Sequence, residues 1–484
     1  MYKLINKIKF NTGIFIFLLF FSGCGDNSGT GWTPADLPND STEEEETNDS
    51  LGIHTYKAPL YWSVYEYAWV AEQAGANNID ISEGEWDRII NWVADNLKPY
   101  GYNMICTDGF LAMLATDDSG YMTQYGSMNL KTLITKLKAK GLKLGIYDNP
   151  LWIHGSLDTK IEGTALTFQD LLYDESDIND VLYPNNNDIF TWIVPSHKGA
   201  KEYIDGFFKH YKELGVEFIR MDFLCLFESA SGAGGMPSKG YGRKNYQLAF
   251  EYICEAAKKY GIFTSLVMPN LFEDAEIEKK YGNMVRIVAD TFGGGWDHVS
   301  GRLRGNVYDG WPACHNQFDG FIHWSHIAGH GKVIMDGDFI RLNTLSNDNE
   351  KQFSISLQLI AGGPVAVADQ YNTIKTGDLK FYQNEEMLAL NTDKFVGKPL
   401  SESLTDAKSQ IWYGQMSNGD WIIGLFNRED NSQYRSIKFS DLGITGKMNV
   451  RDLWKHVDEG ETDNVSVTLE SHSCKIVKLT TPDN

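Results

Sequence analysis

Cysteine is scarce in this chain, which has six cysteines among its 484 residues. No two of them form a CxxC pair, so their spacing predicts neither a zinc site nor a disulfide framework. Apart from Cys24, we expect buried free thiols, with one disulfide left open, at Cys106, Cys225, Cys254, Cys314 and Cys474. The eleven histidines show no HxH or HExxH spacing, and we predict no metal and no other cofactor.

Positive charge is also in deficit, because the formal net charge is −22 at pH 7. The phosphates of a nucleic acid would be repelled over most of such a surface, so we predict no nucleic-acid partner. Aromatic residues are abundant, at 13% of the chain with 13 tryptophans. Such rings serve as apolar platforms in sugar-binding sites and equally well as core side chains. The composition therefore favours a globular protein that handles neutral or cationic ligands.

The apolar run at 13–21 is too short to span a bilayer as a helix. Three lysines precede it and small residues lead up to Cys24, as in the lipobox of bacterial lipoproteins. We expect Cys24 to be acylated, so that this lipid is the chain's one contact with a membrane and holds the protein at the bacterial cell envelope. An ordinary signal peptide or an uncleaved anchor is the alternative. The polar stretch 25–52, with four glutamates at 43–46, predicts a flexible acidic tether.

Short apolar runs alternate with helix-like stretches from about residue 56 onward. Amphipathic spacing predicts helices at 86–97, 130–140, 201–214 and 245–259. The apolar runs predict strands at 60–64, 104–108, 142–148, 218–222, 263–268, 285–290, 332–336 and 364–369. This order favours a (β/α)8 TIM barrel over an open doubly wound sheet. The strand count reaches eight, and no glycine fingerprint follows the first strand.

After residue 375 the sequence changes to short strands separated by turn residues. We predict strands at 410–415, 421–427, 447–454, 465–469 and 474–479. This spacing indicates a small antiparallel β-sandwich. The fold class is therefore α/β, a barrel followed by a C-terminal antiparallel β-sandwich. The predicted divisions are a lipoprotein signal peptide at 1–24, a tether at 25–52, a catalytic barrel at 53–378 and the sandwich at 379–484.

Six of the eight predicted strands end in an aspartate, namely Asp108, Asp148, Asp222, Asp290, Asp336 and Asp369. Because the C-terminal ends of barrel strands meet at one rim, we expect these carboxylates to face a common site. Glycoside hydrolysis needs two carboxylates, one as the nucleophile and one as the acid/base. Asp222 and Asp290 are the candidates, since each follows an arginine on its strand. Arg220 lies on the same strand face as Asp222, and we expect it to keep that carboxylate ionised.

Several stretches, taken in order, resemble glycoside hydrolase family 27, in the clan of retaining α-galactosidases. The similar barrel segments are 101–108, 139–147, 219–222, 286–290 with Trp296, and 336–338. The similar segments of the C-terminal domain are 425–428 and 451–454. The order and spacing of these segments carry the resemblance, which extends from about residue 56 to 480.

The resemblance implies a retaining, α-galactosidase-like exo-glycosidase that removes a terminal α-linked sugar from an oligosaccharide or polysaccharide. It implies Asp222 as the nucleophile, which forms a glycosyl-enzyme, and Asp290 as the general acid/base. The positions that it implies for sugar contacts are Trp62 or Tyr65, Asp108, Tyr147, Arg220, Arg286 and Asp338.

Three positions depart from the family pattern. Gly109 follows Asp108 where the family has a second aspartate, and Arg220 replaces the lysine before the nucleophile. Val267 stands where α-galactosidases carry an acidic residue that reads the 2-position of the sugar. Because valine cannot hydrogen-bond to a 2-hydroxyl, a β-L-arabinopyranosidase or an enzyme for 2-substituted α-galactosides stays open.

Two other classes of protein also stay open. A non-catalytic glycan-binding lipoprotein would keep the barrel, but it would have no need of the Asp222 and Asp290 pair. A divalent-metal barrel hydrolase would use the many rim carboxylates. The histidines at 323, 326 and 330 approach helical spacing, but the apolar residues around them indicate a packed segment instead.

Overall fold

The computed structural model describes residues 57–76, 79–109, 115–172, 191–228, 241–329 and 332–482. Its strands are β1 (Leu60–Ser63), β2 (Met104–Cys106), β3 (Gln124–Tyr125), β4 (Met128–Asn129), β5 (Lys143–Tyr147), β6 (Trp152–Ile153), β7 (Thr191–Trp192), β8 (Phe218–Met221), β9 (Phe263–Leu266), β10 (Met284–Arg286), β11 (Ile334–Asp336), β12 (Val365–Val367), β13 (Lys398–Pro399), β14 (Ile411–Gln415), β15 (Trp421–Phe426), β16 (Gln433–Lys438), β17 (Met448–Asp452), β18 (Val457–Thr462), β19 (Asn464–Leu469) and β20 (Cys474–Thr480).

The α-helices in the same ranges are α1 (Tyr65–Gln73), α2 (Glu83–Asn96), α3 (Leu130–Ala139), α4 (Ala200–Leu214), α5 (Cys225–Glu228), α6 (Gly242–Tyr260), α7 (Phe272–Tyr281), α8 (Gln317–His323), α9 (Asp348–Ile360), α10 (Leu379–Tyr382) and α11 (Glu385–Thr392). The four helices expected from amphipathic spacing correspond to α2, α3, α4 and α6. Cys24, the signal peptide and the tether lie outside the described residues, and none of the helices given above is long and apolar enough to cross a membrane.

The parallel barrel predicted from the sequence is confirmed. Eight strands form one sheet in the order β11-β10-β9-β8-β5-β2-β1-β12, and each adjacent pair is parallel. A parallel bridge between Ile340, four residues beyond the end of β11, and Val367 of β12 connects the two edges of the sheet. In that bridge the Ile340 amide donates to Ala366 at 2.9 Å, and the Ala368 amide donates to Ile340 at 2.9 Å. The sheet therefore closes on itself, and the C-terminal ends of its strands share one rim.

Side-chain alternation along the strands divides the barrel into an interior and an outer layer. The interior holds a cluster that includes Tyr61, Met104, Phe218 and Met284. The alternate positions point outward and join the large cluster between the sheet and its helices. Helix α2 shows how the sequence forms that layer, because Ser82 caps it by accepting the Glu85 amide at 3.3 Å. Its buried face consists of Trp86, Ile89, Ile90 and Val93.

The C-terminal sandwich is also confirmed, and its core holds side chains from both of its sheets. One sheet has the order β13-β14-β15-β20-β17-β18, and β16 pairs with β19 in the other. Sequence patterning missed β16 and β18. Strand β18 is nearly all exposed and reads Val-Asp-Glu-Gly-Glu-Thr, so no apolar face marks it. The proposed division between residues 378 and 379 stays a prediction.

A buried arginine of the sandwich docks it onto the barrel. Arg428 is 2% exposed and pairs with Asp319 at 2.6 Å, while its Nε donates to Ser300 Oγ at 2.8 Å. Nearby, the ring of Trp296 stacks on His472 with centroids 4.0 Å apart. Trp296 therefore packs against the sandwich. The five described cysteines are free and buried.

Candidate active site

Arg220 occupies the centre of a charged layer that lies above the apolar interior of the barrel. Its Nη1 donates to Asp336 Oδ2 at 2.9 Å, and its Nη2 donates to Asp338 Oδ1 at 2.6 Å. The Nε atom lies 3.6 Å from Asp108 Oδ2. The guanidinium stands 4.6 Å from the centroid of the Phe339 ring. Arg220 thus holds three rim carboxylates together from within the barrel.

Asp222, the predicted nucleophile, follows β8 and is held by three polar contacts. Tyr147 Oη donates to Asp222 Oδ2 at 2.9 Å. The amide of Phe223 donates to Asp222 Oδ1 at 2.7 Å, and Asn149 Nδ2 donates to the Asp222 carbonyl at 2.7 Å. The side chain and the backbone are therefore both positioned, which suits a group that must meet a reacting carbon.

Burial raises the pKa of Asp222 above its usual value, and the charge of Asp290 raises it further. Arg286 opposes this shift more strongly than Arg220 does. Arg220 lowers the pKa of Asp222, as expected from the sequence, but Arg286 lowers it more. The Nη1 and Nη2 atoms of Arg220 bind Asp336 and Asp338. Most of the positive charge that lowers the Asp222 pKa therefore comes from Arg286.

Asp290, the predicted acid/base, follows β10 at the same rim. Arg286 Nη2 donates to Asp290 Oδ1 at 2.5 Å, and Arg302 Nη1 donates to the Asp290 carbonyl at 3.0 Å. The guanidinium of Arg286 packs 4.5 Å from the centroid of Trp311. The Asp290 side chain remains 35% exposed. It can therefore exchange protons with a leaving group or with water while one of its oxygens is held.

Asp338 is the most strongly ionised carboxylate of the layer. Burial alone would raise its pKa, but Arg286, Arg220 and a hydrogen bond from Thr291 lower it to about 2. The amide and the hydroxyl of Thr291 both donate to Asp338 Oδ2 at 2.8 Å. His298 lies beside Thr291 at 3.1 Å, and burial lowers its pKa to about 3, so this imidazole is neutral. Asp338 consequently anchors the two arginines.

Asp108 has the opposite character. Burial raises its pKa to about 8, and the charges of Asp222 and Asp338 contribute to the rise. Within the described residues, no donor lies within hydrogen-bonding distance of its Oδ2. A buried polar atom of this kind suits a ligand hydroxyl. Gly109, which follows it, has φ +76° and leaves only 2.9 Å from an added Cβ to Ala68, so a second aspartate does not fit.

We expect Asp108→Asn to change the pH dependence of stability. The folded-state pKa is raised, so the favourable contribution of the neutral acid is complete below the unfolded pKa of about 3.9 and is lost as the pH rises towards about 8. Asparagine stays neutral throughout. The Tm of the variant minus that of the wild type should rise between about pH 5 and pH 8 and then level off. A constant difference across thermal melts in this range would contradict a raised pKa.

Two of the six strand-end aspartates do not face the common site, which corrects the sequence expectation. Asp148 points outward and accepts hydrogen bonds from His154 at 2.7 Å and from Tyr211 at 2.6 Å. Asp369 accepts the Tyr382 hydroxyl at 2.9 Å, and burial raises its pKa to about 7. The cause is strand alternation, because the residue before each of them already points into the barrel.

The two aromatic residues expected near the first strand, Trp62 and Tyr65, lie on opposite faces of the barrel wall. Trp62 is fully buried on the outer face of β1, and its Nε1 donates to the Asp369 carbonyl at 2.9 Å, so its assignment to sugar binding was wrong. The ring of Tyr65 packs on Phe339, with centroids 4.6 Å apart. Burial raises the pKa of Tyr65, and the charges of Asp338 and Asp290 raise it further. Val267 follows β9 and is fully buried.

Three contacts in this layer were not expected from the sequence. Thr291 and Asn149 each follow a strand-end aspartate directly, and that adjacency is the signal that could have found them. Trp311 comes from a distant loop, so its place over Arg286 had no local signal. In the part of the chain that the structure describes, no group of three or more His, Cys, Asp or Glu side chains is arranged to hold a metal ion.

Comparison with known proteins shows that this chain is similar to carbohydrate-active enzymes. Residues 406–479 match the family model of the α-galactosidase C-terminal β-sandwich domain. The chain is 37% identical to an isomalto-dextranase of Arthrobacter globiformis over 458 residues, which cover 90% of this chain and 69% of that one. It is 23% identical to an α-galactosidase of Oryza sativa subsp. japonica, over 81% of each chain.

Solved structures give the same result. The isomalto-dextranase of Arthrobacter globiformis T6, complexed with panose, superposes with a TM-score of 0.81 and 36% identity over 90% of this chain and 75% of that one. A family 27 β-L-arabinopyranosidase from Geobacillus stearothermophilus gives a TM-score of 0.68 over 90% of this chain and 98% of that one, at 19% identity. The second likeness supports the fold alone.

Proposed function

Because this chain belongs to glycoside hydrolase family 27 and is a glycoside hydrolase, we propose that it is a retaining exo-glycosidase that removes terminal α-linked sugar from a dextran-type glucan. The observation that carries the proposed mechanism is the position of Asp222 and Asp290. Both follow parallel barrel strands at one rim, and Arg286 interacts with both.

In the first step, Asp290 donates its proton to the glycosidic oxygen while the bond from that oxygen to the anomeric carbon breaks. A carboxylate oxygen of Asp222 forms a bond to the same carbon, which gives a β-linked glycosyl-enzyme. In the second step, Asp290 accepts a proton from water, whose oxygen attacks the anomeric carbon as the bond to Asp222 breaks. Two inversions restore the α configuration, and this mechanism needs carboxyl groups about 5–5.5 Å apart.

An exo mode of action is supported by the depth of the site. Arg220, Asp336 and Asp338 close its floor and are each at most 1% exposed. Among the residues that the structure describes, this charged layer lies beneath a sugar that reaches Asp222 and closes the barrel interior below it. Such a site accepts the end of a chain more readily than its middle.

Sequence identity favours a glucan over a galactoside. Identity to the isomalto-dextranase is 37%, against 23% for the α-galactosidase of Oryza sativa. Val267 is apolar and fully buried at the position where the family's α-galactosidases carry an acidic residue, which indicates an altered sugar site but does not distinguish glucose from galactose, since both carry the same equatorial 2-hydroxyl. The α-galactosidase-like activity, with the arabinopyranoside and 2-substituted variants of it, is the alternative outcome of the same test.

The test is a substrate panel with the full chain. Dextran and panose are assayed for released reducing sugar, beside nitrophenyl α-glucoside, α-galactoside, N-acetyl-α-galactosaminide and β-L-arabinopyranoside. We expect turnover of the glucans, with an initial product in the α configuration by NMR. Faster turnover of a galactose-type glycoside would overturn the proposed sugar, and an initial β product would overturn retention. Activity on nothing in the panel would favour the non-catalytic glycan-binding alternative.

Replacing Tyr147 by phenylalanine is expected to move the acidic limb of the pH profile upward. The hydroxyl donates to the ionised form of Asp222, and hydrogen bonds to charged groups contribute about 1.5–3 kcal/mol. Its loss makes ionisation of the nucleophile harder and raises the pKa of Asp222 further. The acidic limb of kcat/KM on panose should therefore move to higher pH. An unchanged limb with lowered kcat would mean that Tyr147 serves another role.

We also propose that Cys24 carries a lipid that anchors the enzyme to the bacterial cell envelope. The small residues before Cys24 and the short apolar run support this localisation. In a bacterial host, Cys24→Ser should move the protein from the membrane fraction to the soluble fraction and abolish incorporation of labelled palmitate. Membrane retention of the serine variant would instead indicate an uncleaved anchor.

A further inference from the structure

Phe292 is an exposed aromatic residue in a strained backbone conformation beside the predicted acid/base. It is 46% exposed and has φ +48°, a region that non-glycine residues rarely adopt. Among the described residues, seven large hydrophobic side chains are exposed to solvent, and four of them lie between 292 and 308. Strain and apolar exposure each carry a cost in stability, so their coincidence here points to a function.

Two donors hold the backbone of Phe292 in this conformation. Its carbonyl accepts Tyr65 Oη at 3.2 Å and Arg341 Nη1 at 3.1 Å. Arg341 is itself fixed by a buried ion pair, in which its Nη2 donates to Glu66 Oε1 at 2.6 Å. Glu66 accepts further hydrogen bonds, including one from Thr373 at 2.7 Å. The exposed ring is thus presented by a buried polar network.

The ring also has a defined place relative to the reacting groups. Trp69 on α1 lies 6.3 Å from it, centroid to centroid, with the planes inclined by 57°. The guanidinium of Arg302 stands 5.4 Å from the same ring, and Arg302 Nη1 also donates to the Asp290 carbonyl. One arginine therefore connects the aromatic pair to the residue that protonates the leaving oxygen.

We propose that Phe292, with Trp69 beside it, forms the binding surface for the sugar unit that leaves with the glycosidic oxygen. This inference rests on the proposed function, because Asp290 must act on the leaving-group side. The departing unit lies outward from Asp222, which places it near the exposed side chain of Asp290 and the ring two residues further on. The apolar face of a pyranose can then stack on the ring while its hydroxyls remain in water.

The experiment compares two leaving groups in the wild type and in Phe292→Ala. One substrate is panose, whose leaving group is a sugar, and the other is α-glucosyl or α-isomaltosyl fluoride, whichever the wild type hydrolyses. Losing the contact of one ring should reduce kcat/KM for panose by about 10- to 100-fold, mainly through KM. The loss with the fluoride should be several-fold smaller. Phe292→Tyr should restore turnover of panose.

Tyr434→Ala is the matched control, since Tyr434 is 65% exposed and lies on β16 of the sandwich. It should leave both substrates unaffected. Equal losses with panose and fluoride in Phe292→Ala, or no loss with either, would overturn the leaving-group surface while the proposed hydrolysis stands. Failure of the wild type on both substrates would instead overturn the proposed function. If the substrate panel selects another sugar, the matching oligosaccharide and glycosyl fluoride replace this pair.

Discussion

Asp222→Ala is expected to lower kcat/KM on panose and dextran by about 10⁴- to 10⁶-fold, the size of effect seen when a covalent nucleophile is removed. The alanine variant keeps Tyr147 and Arg286 but has no oxygen to bond to the anomeric carbon. Initial rates by reducing-sugar release, together with thermal melting to show that the variant is folded, measure this. Normal turnover by a folded variant would exclude Asp222 as the nucleophile.

Azide separates the roles of the two carboxylates. In Asp222→Ala, azide can enter the vacated space and attack the anomeric carbon directly, so the product of a glycosyl fluoride should be the inverted β-azide. In Asp290→Ala the glycosyl-enzyme still forms from an activated substrate, and azide then displaces Asp222 to give the retained α-azide. Loss of the acid should reduce turnover of unactivated glucans by about 10²- to 10⁴-fold. The same azide anomer from both variants would contradict the assigned roles.

The barrel was predictable because its strands are short, apolar and separated by amphipathic helices. Buried parallel strands read as continuous hydrophobic runs, and 218–222 and 285–290 are examples. Their ends were predicted less well, since β10 stops at Arg286 whereas the apolar run continues to Ala289. Buried residues in the loop after a strand are as apolar as the strand itself but do not continue its hydrogen bonds to the neighbouring strands. The apolar pattern alone could therefore not place the end of the strand.

Alternation of side chains along a strand predicts which residues face the site. Since Tyr147 and Ala368 point into the barrel, their neighbours Asp148 and Asp369 point out of it, and this could have been predicted from the sequence. The same alternation explains Trp62, which neighbours the interior residue Tyr61. The position of Trp311 depends on how a long loop folds back, and nothing in its local sequence encodes that.

Arg220→Met is expected to lower the free energy of unfolding by about 3–5 kcal/mol at neutral pH, since removing one partner leaves buried carboxylates uncompensated. Methionine keeps most of the length of the side chain but none of its donors. Asp336 and Asp338 then face each other in a layer that is at most 1% exposed. Arg451→Met is the matched control. Arg451 also pairs with two carboxylates, on Glu386 and Asp458, but its side chain is 31% exposed, so we expect a much smaller loss of stability.

The loss of stability caused by Arg220→Met should depend on pH. In the wild type the Asp338 pKa is lowered to about 2, so this group stabilises the fold above the unfolded pKa of about 3.9 and loses that effect as the pH falls towards 2. The variant lacks the part of this contribution that comes from Arg220, while Arg286 and the two hydrogen bonds from Thr291 remain. The difference in Tm between wild type and variant should therefore be largest above about pH 5 and shrink steadily below about pH 4. If the Tm difference were the same above pH 5 and below pH 4, or no larger than the Tm difference caused by Arg451→Met, Arg220 would not be holding the carboxylates ionised.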